Sequence, residues 1–153
     1  MSIESRLQAR GLSLPAPPRP LGRYVAASEA GGLLFISGQL PLRDGKVMFQ
    51  GRVGESLTVE QGRQAAELAA LNVLAQIHAH LGGFERLEKI LRVDGAVASA
   101  DGCFDQPAVL DGASELLADV LGEKAGHARS ASSERQLPGN AAVALVVTAA
   151  IRT

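Results

Sequence analysis

The sequence predicts a mixed α/β sheet with two long helices on one face, in the order ββ–α–β–α–ββ. Three stretches predict it. The first is the closing run Ala141–Ile151, which carries no charge. Val143, Leu145, Val147, Ala149 and Ile151 share one face of a strand there, and Ala144, Val146, Thr148 and Ala150 share the other. A strand that is apolar on both faces is buried on both. The second is Thr58–Leu81, where Ala65, Leu68, Ala69, Leu71, Ile77 and Leu81 recur near helical spacing behind the capping box Thr58-Val59-Glu60-Gln61. The third is Ile90–Ser99, where Leu91, Val93, Gly95 and Val97 alternate with Arg92, Asp94, Ala96 and Ala98. A second long helix follows it.

In chain order, Ser2–Arg10 reads as a short helix: Ile3 and Leu7 lie one turn apart, Glu4 sits in the first turn and Gly11 follows the end. Pro15-Ala16-Pro17-Pro18-Arg19-Pro20 is incompatible with helix and reads as a rigid arm lying on the surface. Tyr24–Ser28 and Leu33–Ser37 flank Glu29-Ala30-Gly31-Gly32 and predict a hairpin. Leu33-Leu34-Phe35-Ile36 is again apolar throughout. Arg43–Glu55 reads as a loop, with a small strand near Val47–Phe49. Gly82-Gly83 stops the first long helix. Asp105 is the expected N-cap of the second, with Pro107 near its first position. Val109, Ala113, Leu116, Leu117 and Val120 form its stripe, and Gly122 ends it. Arg129–Gln136 and Ala142–Arg152 supply the last two strands. Residues 1–20 form an N-terminal helix and arm, and residues 21–153 a single domain.

The 153 residues are enough for one domain with its own core. With 15 Lys+Arg against 16 Asp+Glu, the net charge of −1 gives no electrostatic reason to expect nucleic acid. Four Phe, one Tyr and no Trp leave little for base stacking. The lone Cys103 excludes an internal disulfide and suits a reducing compartment. The N-terminus lacks an apolar signal-peptide core, and no apolar run approaches a membrane span. A cytoplasmic protein is the expectation. His78 and His80 do not share a helix face, and no Cys/His cluster exists, so neither a metal nor a cofactor is expected. Two helices cover only one face of the sheet, yet two strands are apolar on both. A second copy of the chain is the economical cover.

The motifs Gly22-Arg23-Tyr24, Phe35-Ile36-Ser37-Gly38-Gln39-Leu40-Pro41, Asn72, and Ala128-Arg129-Ser130 with Leu137-Pro138 follow in order. Together they resemble the RidA/YjgF family, also called the endoribonuclease L-PSP family, from about Leu21 to the C-terminus. The resemblance implies a chorismate-mutase-like fold, a homotrimer, and clefts between subunits that bind small metabolites. The best-understood members hydrolyse enamines and imines such as 2-aminoacrylate to a keto acid and ammonia. A ribonuclease activity is assigned to others, and the composition argues against it here.

The resemblance makes Arg129 the receptor for a substrate carboxylate, a role that suits a planar, always-charged fork. A structural arginine at a strand start is the alternative. Tyr24 matches a cleft tyrosine, and Ser37, Gly38 and Gln39 match the strand end that lines the cleft. Gly38 would let a ligand reach the backbone, or would simply serve a turn. His127, just upstream of Arg129, is a candidate acid or base, or an ordinary loop histidine. The chain also departs from the family. Active hydrolases have a glutamate where this chain has Ala144. The asparagine of their second long helix falls at or next to Gly112, beside Asp111, and a cysteine of theirs is Ala131. The functional readings are therefore an imine or enamine deaminase, or a trimer that binds a small carboxylate without turning it over.

Overall fold

In the computed structural model, which describes residues 1–153, the elements run α1 (Ile3–Ala9), β1 (Ala27–Ala30), β2 (Leu33–Gln39), β3 (Leu42–Arg43), β4 (Lys46–Val47), α2 (Val59–Leu81), β5 (Leu87–Ala98), α3 (Gln106–Leu121), β6 (Ala128–Glu134) and β7 (Val143–Ile151). The uncharged closing strand is the middle of the sheet. The strand order is β1-β2-β7-β5-β6, with β3 and β4 a separate ribbon. β7 runs antiparallel to both β2 and β5, and β6 pairs parallel to β5. α3 makes the crossover that a parallel pair requires.

Local chemistry sets the boundaries. Gly31 and Gly32, at φ 59° and 78°, form the two-residue turn between β1 and β2. β1 starts at Ala27, so Tyr24 precedes the strand rather than opening it, as the sequence reading had it. The capping box forms as expected. Gln61 N donates to Thr58 Oγ1 at 3.1 Å, and Thr58 N donates to Gln61 Oε1 at 2.9 Å. Gly82 ends α2 in the left-handed region at φ 71°. Asp105 does precede α3, but its side chain makes no capping bond, so only its carbonyl contributes, accepting from Val109 N at 3.0 Å.

α2 and α3 lie side by side on one face of the sheet. Their stripes meet Leu34 and Ile36 of β2, Val93 and Val97 of β5, and Leu145 and Val147 of β7, all fully buried. Burial of each such side chain stabilises the fold by about 1.5–3 kcal/mol. The expected stripe on α3 holds, since Val109, Ala113, Leu116, Leu117 and Val120 are all buried.

The other face is bare. Phe35 is 48% exposed and Val146 is 46% exposed, although both sit in the middle of the sheet. Ala144, Thr148 and Ala150 share that face and are only partly covered. Toward β6 it turns polar. The Ser130 hydroxyl, donating to Asp94 Oδ1 at 2.6 Å, and then Arg92 hold the Asp94 carboxyl below the usual aspartate range.

Residues 1–20 are not a loose appendage. Leu7 is buried, and Leu12 and Leu14 pack against the core. Arg10 pairs with Asp119 and Glu67, so α1 is docked on both long helices. No helix is long and apolar enough to cross a membrane.

Candidate functional site

β2 does not stay in register with β7. Ile36 faces Val147 and Gln39 faces Leu145, so Ser37 and Gly38 together oppose the single residue Val146. This is a β-bulge, which bends a strand and re-aims its side chains, often beside a binding site. A cleft of about 370 Å³ opens there. Tyr24, Ser37, Gly38 and Gln39 all line it, with Arg19 from the arm and Ala144 from β7. The volume is in the range of small-molecule sites.

Two walls of the cleft, the arm and the end of β2 with the segment after it, are held by α2. Asn72, fully buried, donates to the carbonyls of Leu40 and Leu42 at 2.9 and 3.0 Å. One turn on, Gln76 Nε2 donates to Pro18 O at 2.7 Å and to Gln39 Oε1 at 3.3 Å. Gln39 Nε2 donates in turn to Ser37 O at 3.1 Å. Gln39 is thus 4% exposed and serves as a brace between strand, helix and arm. The arm is a wall of the cleft, which the sequence reading placed only on the surface. Tyr24 is half exposed, and its hydroxyl accepts from Leu21 N at 3.1 Å, which leaves its own proton to donate.

Gly38 is not a turn glycine. Its φ is outside the left-handed region, and an added Cβ would meet nothing nearer than Val146 Cγ2 at 4.0 Å. The chain's own packing tolerates a methyl there. Gly38→Ala should therefore leave stability within about 0.5 kcal/mol and weaken a ligand that fills the bulge about tenfold. Urea melts and a binding titration on one protein preparation check both halves.

Arg129 and His127 lie elsewhere. β6 is the far edge strand, three strand spacings from β2, or about 14 Å. Arg129 pairs with Val93, whose side chain lies under the helices, so it projects toward α3. Arg129 Nη1 donates to Asp111 Oδ1 at 2.9 Å and to Ser114 Oγ at 3.1 Å, and Nη2 to Pro107 O at 3.2 Å. Pro107, Asp111 and Ser114 follow one face of α3. His127 Nδ1 meets the Ala125 carbonyl, which only accepts, so this nitrogen carries the proton. Its Nε2 then accepts from the Ser114 hydroxyl at 2.9 Å. Both ring nitrogens are engaged, and within one chain neither residue reaches the cleft.

Gly112 faces α2, where an added Cβ would lie 2.2 Å from Arg63 O. Asp111 is therefore the polar residue that this turn of α3 offers to Arg129. The Asp111–Arg129 pair and the Ser114 bridge escaped the sequence reading. So did Gln76, although Asn72 and Gln76, four apart on an otherwise apolar helix face, are the pattern of a buried polar brace.

Comparison with known proteins agrees with this architecture. The sequence profile of the YjgF/chorismate mutase-like family, whose description adds a candidate endoribonuclease activity, matches residues 4–151. The chain belongs to this family. The match begins within α1, upstream of the Leu21 boundary that the motifs suggested. Protein TCP17 of Trypanosoma cruzi is 39% identical over 142 residues, covering 92% of this chain and 89% of that protein. The structure of Atu1372 from Agrobacterium tumefaciens, described as of unknown function, is 40% identical, with a TM-score of 0.93 over 98% of this chain and 92% of that one. A candidate endoribonuclease from Shewanella oneidensis MR-1 is 36% identical, with a TM-score of 0.95 over 99% and 100% of the two chains.

Proposed function

We propose that this YjgF-family chain binds a small carboxylate-bearing metabolite in the bulge cleft, and that it hydrolyses enamines or imines weakly or not at all. One observation carries the reading. The cleft presents a cation, a phenol and a hydroxyl, but no carboxylate or imidazole lines it. Arg19, Tyr24 and Ser37 can hold an anion. None of them is a base of the strength that proton transfer at neutral pH requires. Ala144 lines the cleft where active relatives are expected to carry a glutamate. Deaminase chemistry is the second reading. A neighbouring chain that brought in a proton-transferring group would favour it.

The bare face supports a homotrimer. Phe35 and Val146 form an apolar centre rimmed by Asp94 and Arg92, and an uncovered apolar sheet face marks an association surface. Sedimentation velocity at micromolar concentration should give the mass of three chains. Val146→Arg, which puts a charge in that centre, should release folded monomer. A compact wild-type monomer would remove the trimer from the proposal.

The binding half is tested by calorimetric titration with pyruvate, 2-oxobutyrate and L-serine, alongside an assay for ammonia release from 2-aminoacrylate. Saturable binding without turnover is the expected pair of results. Rapid ammonia release would favour the deaminase reading.

A further inference from the structure

The cleft has one charged side chain on its walls, and it comes from the arm. Arg19 lies between Pro18 and Pro20. A residue before proline is confined to extended backbone, and the preceding proline fixes its own φ. The segment is also fastened on both sides of Arg19. One residue earlier, the buried Gln76 amide holds the Pro18 carbonyl at 2.7 Å. Two residues later, Leu21 N donates to the Tyr24 hydroxyl at 3.1 Å. The Arg19 backbone is thus rigidly placed at the mouth of the cleft.

Its guanidinium is unspent. Arg19 is exposed and makes no hydrogen bond or ion pair. Asp44 lines the adjoining depression of about 350 Å³ together with Arg19, but the two do not pair. Arg129 differs on each point. It is tied to Asp111, Ser114 and Pro107, and its charge is matched within its own helix–strand pair. A ligand carboxylate at Arg129 would have to compete with Asp111. At Arg19 no carboxylate of the same chain is paired with the guanidinium. The rest of the cleft suits a short apolar body, since Ala26, Leu40, Pro138 and Ala144 line it.

We propose that Arg19 is the anion receptor of this cleft, the residue that binds the carboxylate of a small ligand with a short aliphatic body. The inference rests on the reading that the cleft takes such a ligand. The Tyr24 and Ser37 hydroxyls then address the polar substituent next to the carboxylate.

The test compares acids with their neutral amides. Pyruvate, 2-oxobutyrate, L-serine and L-leucine, each with the corresponding amide, are titrated into wild type, Arg19→Gln and Arg129→Gln. Melting temperatures control for the fold. In wild type at least one acid should bind more tightly than its amide, by about ten- to hundredfold, the range of a charge-assisted pair. Arg19→Gln should erase that preference at an unchanged melting temperature, and Arg129→Gln should keep it. If Arg129→Gln erases the preference and Arg19→Gln keeps it, Arg19 is not the receptor, although the cleft still binds carboxylates. Equal binding of acid and amide by wild type likewise rejects Arg19 while leaving a ligand site. Failure of wild type to bind any acid rejects both this inference and the reading it rests on.

Discussion

Gly112→Ala should destabilise the protein by about 3 kcal/mol or more, the upper range for forcing a methyl into a closed contact. The added Cβ would stand 2.2 Å from Arg63 O, 2.9 Å from Arg63 C and 3.0 Å from Arg63 Cα. These are backbone atoms in the second turn of α2, so no side chain can swing aside. The helices must separate, and the crossing is held on both sides of the contact. Arg63 Nη1 donates to Ala108 O at 2.9 Å, and Nη2 to Glu115 Oε2 at 2.6 Å. Gly62 is nearly as tight, with its notional Cβ 2.9 Å from Val53 Cγ2 and 3.0 Å from Val109 Cγ2. The readout is the urea midpoint at unchanged m-value. A chain of this size should also lose about 6–12 °C in melting temperature. Gly126→Ala is the control, because its Cβ would meet nothing nearer than Lys89 Cε at 3.9 Å. Equal losses for the two variants would show that the crossing is looser than this geometry. The contact also matters for the Arg129 cluster, since any tilt of α3 moves Pro107, Asp111 and Ser114 together.

Most of the elements were legible because each carried its own local cue. The Thr58–Gln61 box marked the start of α2, Gly82 its end, and Gly31-Gly32 the hairpin. The bare sheet face was legible as well, because Phe35 and Val146 interrupt no polar alternation. Strand order was not legible. Nothing local says that β7 inserts between β2 and β5, and that insertion decides which site residues meet. Tyr24, Ser37, Gly38 and Gln39 are close in sequence and stay together. Arg129 is carried to the far edge by the crossover through α3. Its partners Asp111 and Ser114 lie more than a dozen residues upstream, and only the register of α3 against β6 pairs them with it. The docking of Arg19's arm is not legible, because proline-rich composition shows extension and not docking. The docking depends on Gln76, whose amide reaches Pro18 across 58 positions.

Ala144→Glu should convert a poor 2-aminoacrylate deaminase into a measurable one, raising the rate about 10²–10⁴-fold, the usual contribution of a positioned acid or base. Hydrolysis needs the enamine to take a proton at carbon and become the imine. Water then adds to the C=N carbon, and the nitrogen leaves as ammonia after a further proton transfer. The residues of one chain that line the cleft include no carboxylate or imidazole for these transfers. Ala144 lies on its wall as a methyl, and the remaining polar groups are hydroxyls, amides and a guanidinium that holds its proton throughout. Within one chain His127 does not line the cleft. Its Nδ1 proton is given to Ala125 O, its Nε2 accepts from Ser114, and it sits with β6 at the far edge of the sheet. His127→Ala should therefore leave the residual rate unchanged. A glutamate at position 144 would project from β7 on the open face, beside the Ser37–Gly38 bulge, into a space of about 370 Å³. Rates of ammonia release from freshly generated 2-aminoacrylate, measured for wild type, Ala144→Glu and His127→Ala, decide the matter. Robust wild-type turnover that survives His127→Ala would place the proton chemistry at neither position and overturn this account of the cleft.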